Sequence, residues 1–231
     1  MTELRIPIKT ITKNLVIWRV FPGQGIRQLN RMLDESKVYL EMPGLNLNHR
    51  SVTDIFNIRQ HTRMARALYD YHNGESPNPP SRNPSTYSGE VSKDKTLTSQ
   101  FGNVKNLFSK AKTGDLVVVT GAGSDVSIGE ISSDFDPTKT IQLNNRDLSY
   151  DTVQYREVRW LQKSVPRSKM PAELVKRIAN RHAVSRMLRD KSAEYIFDFA
   201  YPSYFHNGLA KVSVFGPDYS GKKFRELNNT E

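Results

Sequence analysis

The stretch Thr113–Ile131, with the sequence TGDLVVVTGAGSDVSIGEI, places the strongest constraint on what this chain can fold into. Four of the five residues in Leu116–Thr120 are β-branched, and Val126–Ile131 alternates apolar residues with small or polar ones. Both patterns are typical of β-strands. The link between them, Gly121–Asp125, is rich in small residues and has the length of a hairpin loop. The stretch therefore predicts a β-hairpin.

Other strands and helices are predicted on both sides of this hairpin. Leu15–Phe21 and Lys37–Met42 read as strands because each is apolar and is followed or ended by a Pro-Gly pair, and Thr152–Leu161 reads as a strand by alternation. Apolar residues at helical spacing predict helices over Ile26–Glu35, after a cap at Ser51 or Thr53, and over Phe101–Lys112. Strands mixed with helices in this way indicate the α+β class.

The rest of the chain is less regular. Asn73–Leu97 has four prolines and almost no apolar periodicity, so it is interpreted as a loop or insertion. A loop is expected over Ser132–Asp151. Beyond Trp160, a helix is predicted to begin near Ser168 or Pro171. Another turn or two of helix is predicted over Ala183–Leu188, and a strand is predicted over Leu209–Phe215. The end of the chain, Lys222–Glu231, reads as a polar tail.

The charge balance points to a polyanionic partner. The chain has 34 Lys and Arg against 24 Asp and Glu, a net charge of +10 and a pI of about 9.7. Between Arg156 and Lys191 there are 11 basic residues against three acidic ones. A basic surface of this kind attracts nucleic acid, although a solvated face or an acidic protein partner would also account for it.

Two groups of basic residues are candidates for contacts with the phosphate backbone. Arg59, Arg63 and Arg66 are spaced four and three residues apart, so they share one face of the predicted helix. Guanidinium groups at that spacing can follow phosphates and give a salt-dependent affinity. The second group lies later in the chain and comprises Arg156, Arg159, Lys163, Arg167, Lys169, Arg177 and Arg181.

The composition and motifs also argue against several classes of protein. There is no cysteine, which excludes disulfides, thiolate metal sites and cysteine nucleophiles. No apolar run suits a signal peptide or a membrane span, so a cytoplasmic protein without membrane contact is expected. The GAGSD turn resembles a dinucleotide-binding loop, but a strand and not a helix follows it, so no cofactor is predicted.

Catalytic motifs are also missing from the sequence. The five histidines do not have metal-ligand spacing, and no serine nucleophile elbow occurs. Pro217-Asp218 resembles the start of a restriction-nuclease motif, but no E-x-K follows at a suitable distance to help hold a metal ion. We therefore predict no metal site, no catalytic residue and no enzyme activity from this chain alone.

Several segments together resemble a known family. V-I-W-R-V in the first strand, K-V-Y-L in the second, G-D-L-V-V-V and I-G-E-I in the hairpin, and R-x-V-x-W-L around Trp160 are similar to the PUA-like superfamily. They are most similar to its EVE-type branch, which is associated with McrB- and Mrr-like restriction systems. V-P-R-S-K-M-P-A-E-L resembles the extension after the barrel in such proteins. The resemblance covers Val16 to Met187. It implies a PUA-like mixed β-barrel with flanking helices over residues 14–190, interrupted at 73–97, with a C-terminal extension over 191–231.

The resemblance also implies a function. Relatives bind nucleic acid, and several flip a modified base into an aromatic pocket. A flipped base needs flat apolar faces to replace its lost stacking and polar groups to read its edge. The implied base pocket comprises Trp18, Tyr39, Asn46, Ser127 and Trp160, with core packing as the alternative role of the aromatics. The resemblance favours DNA over RNA as the ligand. It also implies a role in antiviral defence or restriction, with an effector protein as the partner.

A non-catalytic adaptor is the alternative function. The aromatic segment YIFDFAYPSYF, Tyr195–Phe205, together with the basic stretch Arg156–Lys191, is dense enough in anchor residues to form a docking surface for another protein. The same aromatic residues would otherwise belong to the core of this chain. A third hypothesis, a small-molecule enzyme that uses Gly121–Gly123, has the turn alone in its favour.

Overall fold

The structure of the chain is a computed structural model that describes residues 8–23, 28–120, 125–143, 152–179, 182–187, 191–213 and 224–227. The predicted hairpin turn at 121–124, the start of the predicted helix at 26–27, and Asn180 and Arg181 lie outside the described residues. Within the described residues, the strands are β1 (Lys9–Thr10), β2 (Ile17–Val20), β3 (Lys37–Tyr39), β4 (Leu116–Thr120), β5 (Asp125–Ile131), β6 (Thr140–Gln142), β7 (Thr152–Pro166), β8 (Val184–Arg186), β9 (Ser203–His206), β10 (Leu209–Ser213) and β11 (Phe224–Leu227). The helices are α1 (Leu29–Asp34), α2 (Ile55–His72), α3 (Lys95–Val104), α4 (Ala172–Ile178) and α5 (Lys191–Ala200).

A seven-stranded mixed sheet forms the centre of the fold. Its strand order is β3-β7-β5-β4-β2-β8, with β6 also paired to β7. The predicted hairpin is confirmed, because β4 and β5 pair antiparallel from Leu116 opposite Glu130 to Thr120 opposite Val126. β2 runs parallel to β4, whereas the other pairs are antiparallel. The α+β class is therefore confirmed.

The long strand β7 gives the sheet its curl. Its C-terminal half pairs with β5, with register shifts around Ile128, and its N-terminal half pairs with β3 and β6. Register irregularities of this kind bend a strand and increase its local twist. The result is a curled half-barrel. Among the strand pairs that the described residues form, none joins β3 to β8 to close the barrel.

Both faces of the central sheet are buried. Trp18, Val20, Val117 and Val119 belong to one apolar cluster, which includes side chains from α1, α2 and α3. The alternate residues Ile17, Leu116 and Val118 belong to a second cluster, with side chains from α4 and α5. Burial on both faces explains why β4 reads as a continuous β-branched run and not as an alternating one.

The C-terminal part of the chain contributes to this second cluster. Phe197 and Tyr204 are fully buried against the central sheet, and β9 pairs in parallel with β1 near the start of the chain. β9 and β10 form a hairpin around Asn207 and Gly208, whose φ angles of 52° and 80° match a two-residue type I′ turn. Most aromatics of the Tyr195–Phe205 segment therefore serve the core of this chain. Residues on both sides of the predicted boundary at 190 share that core.

Several predicted elements need correction. Ala183–Leu188 was expected to be helical, but its centre is strand β8, which pairs with β2. The outer edge of β8 is held by amide side chains, because Asn103 Oδ1 accepts from Val184 N at 3.0 Å and Asn106 Nδ2 donates to Val184 O at 3.2 Å. Tertiary pairing therefore overrides the local preference. The expected loop over Ser132–Asp151 contains strand β6, and β7 continues to Pro166.

Helix starts also differ from the predictions. α2 is capped by Asp54, whose carboxylate accepts from Phe56 N, and not by Ser51 or Thr53. α3 begins at Lys95 behind an Asp94 cap, six residues before the predicted start at Phe101, and continues as a π-helical segment, Lys105–Lys110. α4 begins after Pro171, while Ser168 lies in a short 3₁₀ turn. The predicted polar tail contains strand β11, which pairs with β10.

Candidate nucleic-acid interface

Three of the five side chains predicted to form a base pocket lie inside the protein. Trp18 is 2% exposed, Tyr39 0% and Ser127 3%. Each has a partner within the fold: Trp18 Nε1 donates to Asp115 Oδ2 at 2.9 Å, Tyr39 OH to Gln28 Oε1 at 3.0 Å, and Ser127 Oγ to Lys163 O at 2.7 Å. Burial raises the pKa of Tyr39 to about 12. A base could reach these groups only after the core had rearranged.

Trp160 and Asn46 are the members of the predicted pocket that reach the surface. Trp160 is half-buried, and its indole N–H donates to Met32 O at 3.2 Å. Its ring lies over Gly129, where an added Cβ would come within 2.9 Å of Trp160 Cε3. Trp18 and Tyr39 belong to one apolar cluster, and Trp160 packs against it. The structure thus brings the three aromatics together in the core and leaves part of Trp160 accessible.

Asn46 lies in the loop after β3. Gln154 fixes this loop, since its side-chain amide exchanges two hydrogen bonds, of 2.9 and 2.8 Å, with the backbone of Leu47 and donates to Pro137 O at 2.7 Å. Asn46 itself is exposed. The buried amide of Gln154 therefore holds the loop that presents Asn46, which sequence patterns do not reveal.

The three arginines of α2 all have partners within the protein. Arg66 Nε lies 2.6 Å from Asp70 Oδ1, and Arg66 Nη2 lies 3.8 Å from Glu75 Oε2. Arg59 and Arg63 donate to backbone carbonyls of the insertion that follows the helix. The predicted row of arginines thus exists on one helix, but it is engaged by the chain itself.

Arg156 lies in the interior, 3% exposed. It donates to Ala111 O and to Ser133 O, both at 3.0 Å, and so ties the segment before β4 to the loop after β5. Burial lowers the pKa of its guanidinium, which the nearby carboxylates of Asp134 and Asp115 partly offset. A phosphate group cannot reach this side chain in the folded protein.

The remaining predicted cations, apart from Arg181, lie in the range Arg159–Arg177, which we call the basic segment. It has six Lys or Arg residues and one acidic residue, Glu173. The Arg159 side chain is 63% exposed and lies 3.5 Å from Glu130. The side chains of Lys163, Lys169 and Lys176 are exposed and have no hydrogen-bond or ion-pair partner among the described residues. Arg167 and Arg177 are half-buried with partners of their own, and Arg181 lies outside the described residues.

The backbone of the basic segment is held firmly by the fold. Its first part belongs to β7, which pairs with β5 as far as Pro166 opposite Asp125. Met170 and Leu174 anchor the following turn and α4 in the second apolar cluster. The cations are therefore presented from ordered elements and not from a loose tail. Lys176, absent from the predicted set, lies within the same basic run, which is the signal that could have identified it.

Glu130 sets the charge at the N-terminal end of the basic segment. Its carboxylate accepts from Lys9 Nζ at 2.8 Å and from Tyr201 OH at 2.7 Å and faces Arg159. Burial alone would raise the pKa of Glu130, but the hydrogen bonds from Lys9 and Tyr201 outweigh it, so the pKa is lowered. Burial raises the pKa of Tyr201, and its hydrogen bond to Glu130 raises that pKa further.

Other classes of site receive no support from the described residues. Among them, no three His, Asp or Glu side chains are arranged to hold a metal ion. In the same part of the chain, no helix combines the length and the apolar character needed to cross a bilayer. Comparisons with protein-family models, curated protein sequences and solved structures find no match to this chain.

Proposed function

We propose that this protein is a cytoplasmic nucleic-acid-binding module that contacts the phosphate backbone through the basic segment Arg159–Arg177. The observation that carries the proposal is a set of four exposed cations on consecutive ordered elements: Arg159, Lys163, Lys169 and Lys176. The three lysines have no acidic partner among the described residues. No carboxylate of the described residues competes with an external anion for these three lysines. The net charge of +10 favours a polyanion over a neutral ligand.

Binding of this kind has a measurable signature. Each phosphate that a cation neutralises releases condensed counterions and contributes about 0.9 to the slope of log K against log salt concentration on duplex DNA. Four to six contacts from the basic segment would therefore give a slope of about −4 to −5. DNA is the favoured ligand, with an effector protein supplying any downstream reaction.

We propose modified-base recognition as the specific form of this binding, on the curled sheet of a PUA-like barrel. Trp160 supports this proposal, because it is the half-exposed tryptophan of the predicted pocket. An extruded base needs an accessible aromatic face of this kind to replace its lost stacking. Trp18 and Tyr39 would then support Trp160 from behind, as members of the cluster against which it packs.

A titration across salt concentrations tests both levels of the proposal. Duplexes with and without modified cytosine or adenine are bound to the wild-type protein and to Trp160→Leu. The proposal expects steep salt dependence for every duplex, tighter binding of one modified duplex, and loss of that preference in Trp160→Leu. Equal affinity for plain and modified DNA removes base recognition alone. No binding at low salt contradicts the function itself and favours an acidic protein partner for the basic segment.

A further inference from the structure

The insertion after α2 folds back and covers part of the basic face of that helix. We call Tyr87–Glu90 the strap. All four of its carbonyls accept hydrogen bonds from α2 side chains. The bonds run from Gln60 Nε2 to Tyr87 O at 2.8 Å, from Arg63 to Ser88 O, from Arg59 Nη1 to Gly89 O at 3.2 Å, and from Arg63 Nη2 to Glu90 O at 2.9 Å.

The centre of the strap also packs directly on the helix. Gly89 is buried against the ring of Phe56, and a Cβ added at Gly89 would lie 2.3 Å from Phe56 Cγ. Only a glycine lets the backbone approach the ring this closely. Four hydrogen bonds, which the strap carbonyls accept, and one close apolar contact therefore hold the strap on α2.

Arg59 and Arg63, which the strap covers, differ from Arg66 in their hydrogen-bond partners. Arg66 has two carboxylates within 4 Å, Asp70 and Glu75. Arg59 and Arg63 have no carboxylate partner among the described residues, and they donate only to neutral carbonyls. A phosphate adds a second ionised partner and can accept bidentate hydrogen bonds from a guanidinium, whereas a neutral backbone carbonyl offers neither. The covered face is thus better suited to a phosphate ligand than to the strap that occupies it.

We infer that the Arg59–Arg63 face of α2 is a second phosphate-binding surface for nucleic acid and that the strap keeps it covered. This inference rests on the proposed function, since it concerns the same class of ligand. The two arginines are one helical turn apart, about 6 Å along the axis, so each can contact a separate phosphate. Displacing the strap would add up to two contacts to those of the basic segment.

The test loosens the strap without touching the arginines. Gly89→Ala forces a methyl group against Phe56, and Gly102→Ala is the matched control, because an added Cβ there has nothing within 4 Å. Chymotryptic cleavage after Tyr87 reports strap release. With short duplex DNA, Gly89→Ala is expected to bind about 3- to 10-fold more tightly at low salt and to steepen the salt slope by about 1 to 2. Gly102→Ala is expected to match the wild type in all three measurements.

Arginine variants test the covered surface itself, in the wild-type and the Gly89→Ala backgrounds. Arg59→Gln/Arg63→Gln is expected to leave wild-type affinity within about twofold, because the surface is covered, and to abolish the gain in the Gly89→Ala background. A roughly tenfold loss of affinity in the wild-type background would mean that both arginines already contact DNA. That result would contradict the inference that the strap covers them. Faster cleavage after Tyr87 with unchanged affinity and slope would overturn the second surface. Absence of binding by the wild type would instead reject the proposed function.

Discussion

The Asp115→Asn substitution exchanges one buried oxygen for an amide nitrogen at the junction of β2 and β4. Asp115 is 5% exposed, and its carboxylate accepts three hydrogen bonds of 2.9 Å each. Oδ1 accepts from Val16 N, and Oδ2 accepts from Trp18 Nε1 and from Lys112 N. Asparagine has nearly the same shape, so the substitution leaves no cavity and isolates the hydrogen bonding.

The expected loss of stability follows from those three bonds. An asparagine that keeps its oxygen toward Trp18 and Lys112 turns its NH₂ group toward Val16 N, so one buried pair becomes donor against donor. An unsatisfied buried polar group costs about 1–3 kcal/mol, and the two remaining bonds lose their charge assistance. We therefore expect the free energy of unfolding to fall by about 2–4 kcal/mol.

Urea denaturation followed by tryptophan fluorescence measures this change, because Trp18 lies at the site. Asp134→Asn is the matched control: Asp134 is exposed and accepts from Thr113 Oγ1 at 2.7 Å, so its replacement should cost less than about 0.5 kcal/mol. A loss for Asp115→Asn no larger than that of the control would refute the view that this carboxylate joins β2 to the start of β4.

Two further predictions concern the frame of the basic segment. The pKa of Glu130 is lowered from about 4.5 in the folded state, so its contribution to stability is present above that pH and is lost as the pH falls through the folded value. Acid unfolding of Glu130→Gln should therefore depend less on pH below about 4.5 than that of the wild type, and parallel pH profiles would contradict this. Gly129→Ala places a Cβ 2.4 Å from Val158 Cγ1 and 2.9 Å from Trp160 Cε3, so it should cost about 1–3 kcal/mol and shift the Trp160 emission to the red. Unchanged emission would show that the ring does not rest on Gly129.

The parts of the fold that the sequence predicts are those specified by local patterns. The β4–β5 hairpin follows from a β-branched run, an alternating run and a small-residue link, all within one stretch. Asn207-Gly208 carries an equally local signal for a type I′ hairpin, and reading it would have identified β9. By contrast, β8 owes its extended conformation to β2 and to Asn103 and Asn106, which lie far away in sequence.

In the candidate site, too, some features follow from local sequence and others depend on distant residues. Exposed lysines in a basic run, such as Lys163 and Lys169, are predictable because their environment is solvent. Burial of Trp18 and Arg156 depends on partners far along the chain: Asp115 is 97 residues from Trp18, and Ala111 is 45 residues from Arg156. Tertiary contacts therefore determine which aromatic remains accessible and which arginine is buried. Residue spacing alone does not encode those contacts.

The measurement that tests the central claim most directly compares two variants with the same net charge. One replaces four cations of the basic segment with glutamine: Arg159, Lys163, Lys169 and Lys176. The other replaces four exposed lysines elsewhere, which have no ion-pair partner among the described residues: Lys93, Lys95, Lys110 and Lys112. The salt dependence of duplex DNA binding is then measured for both and for the wild type.

We predict that the basic-segment variant loses about 3 to 4 from the magnitude of the salt slope and most of its affinity at about 50 to 200 mM salt. The control variant should keep a slope within about 1 of the wild type, because its lysines contribute only to the long-range field. Equal slopes for the two variants would contradict the claim that nucleic acid binds at Arg159–Arg177.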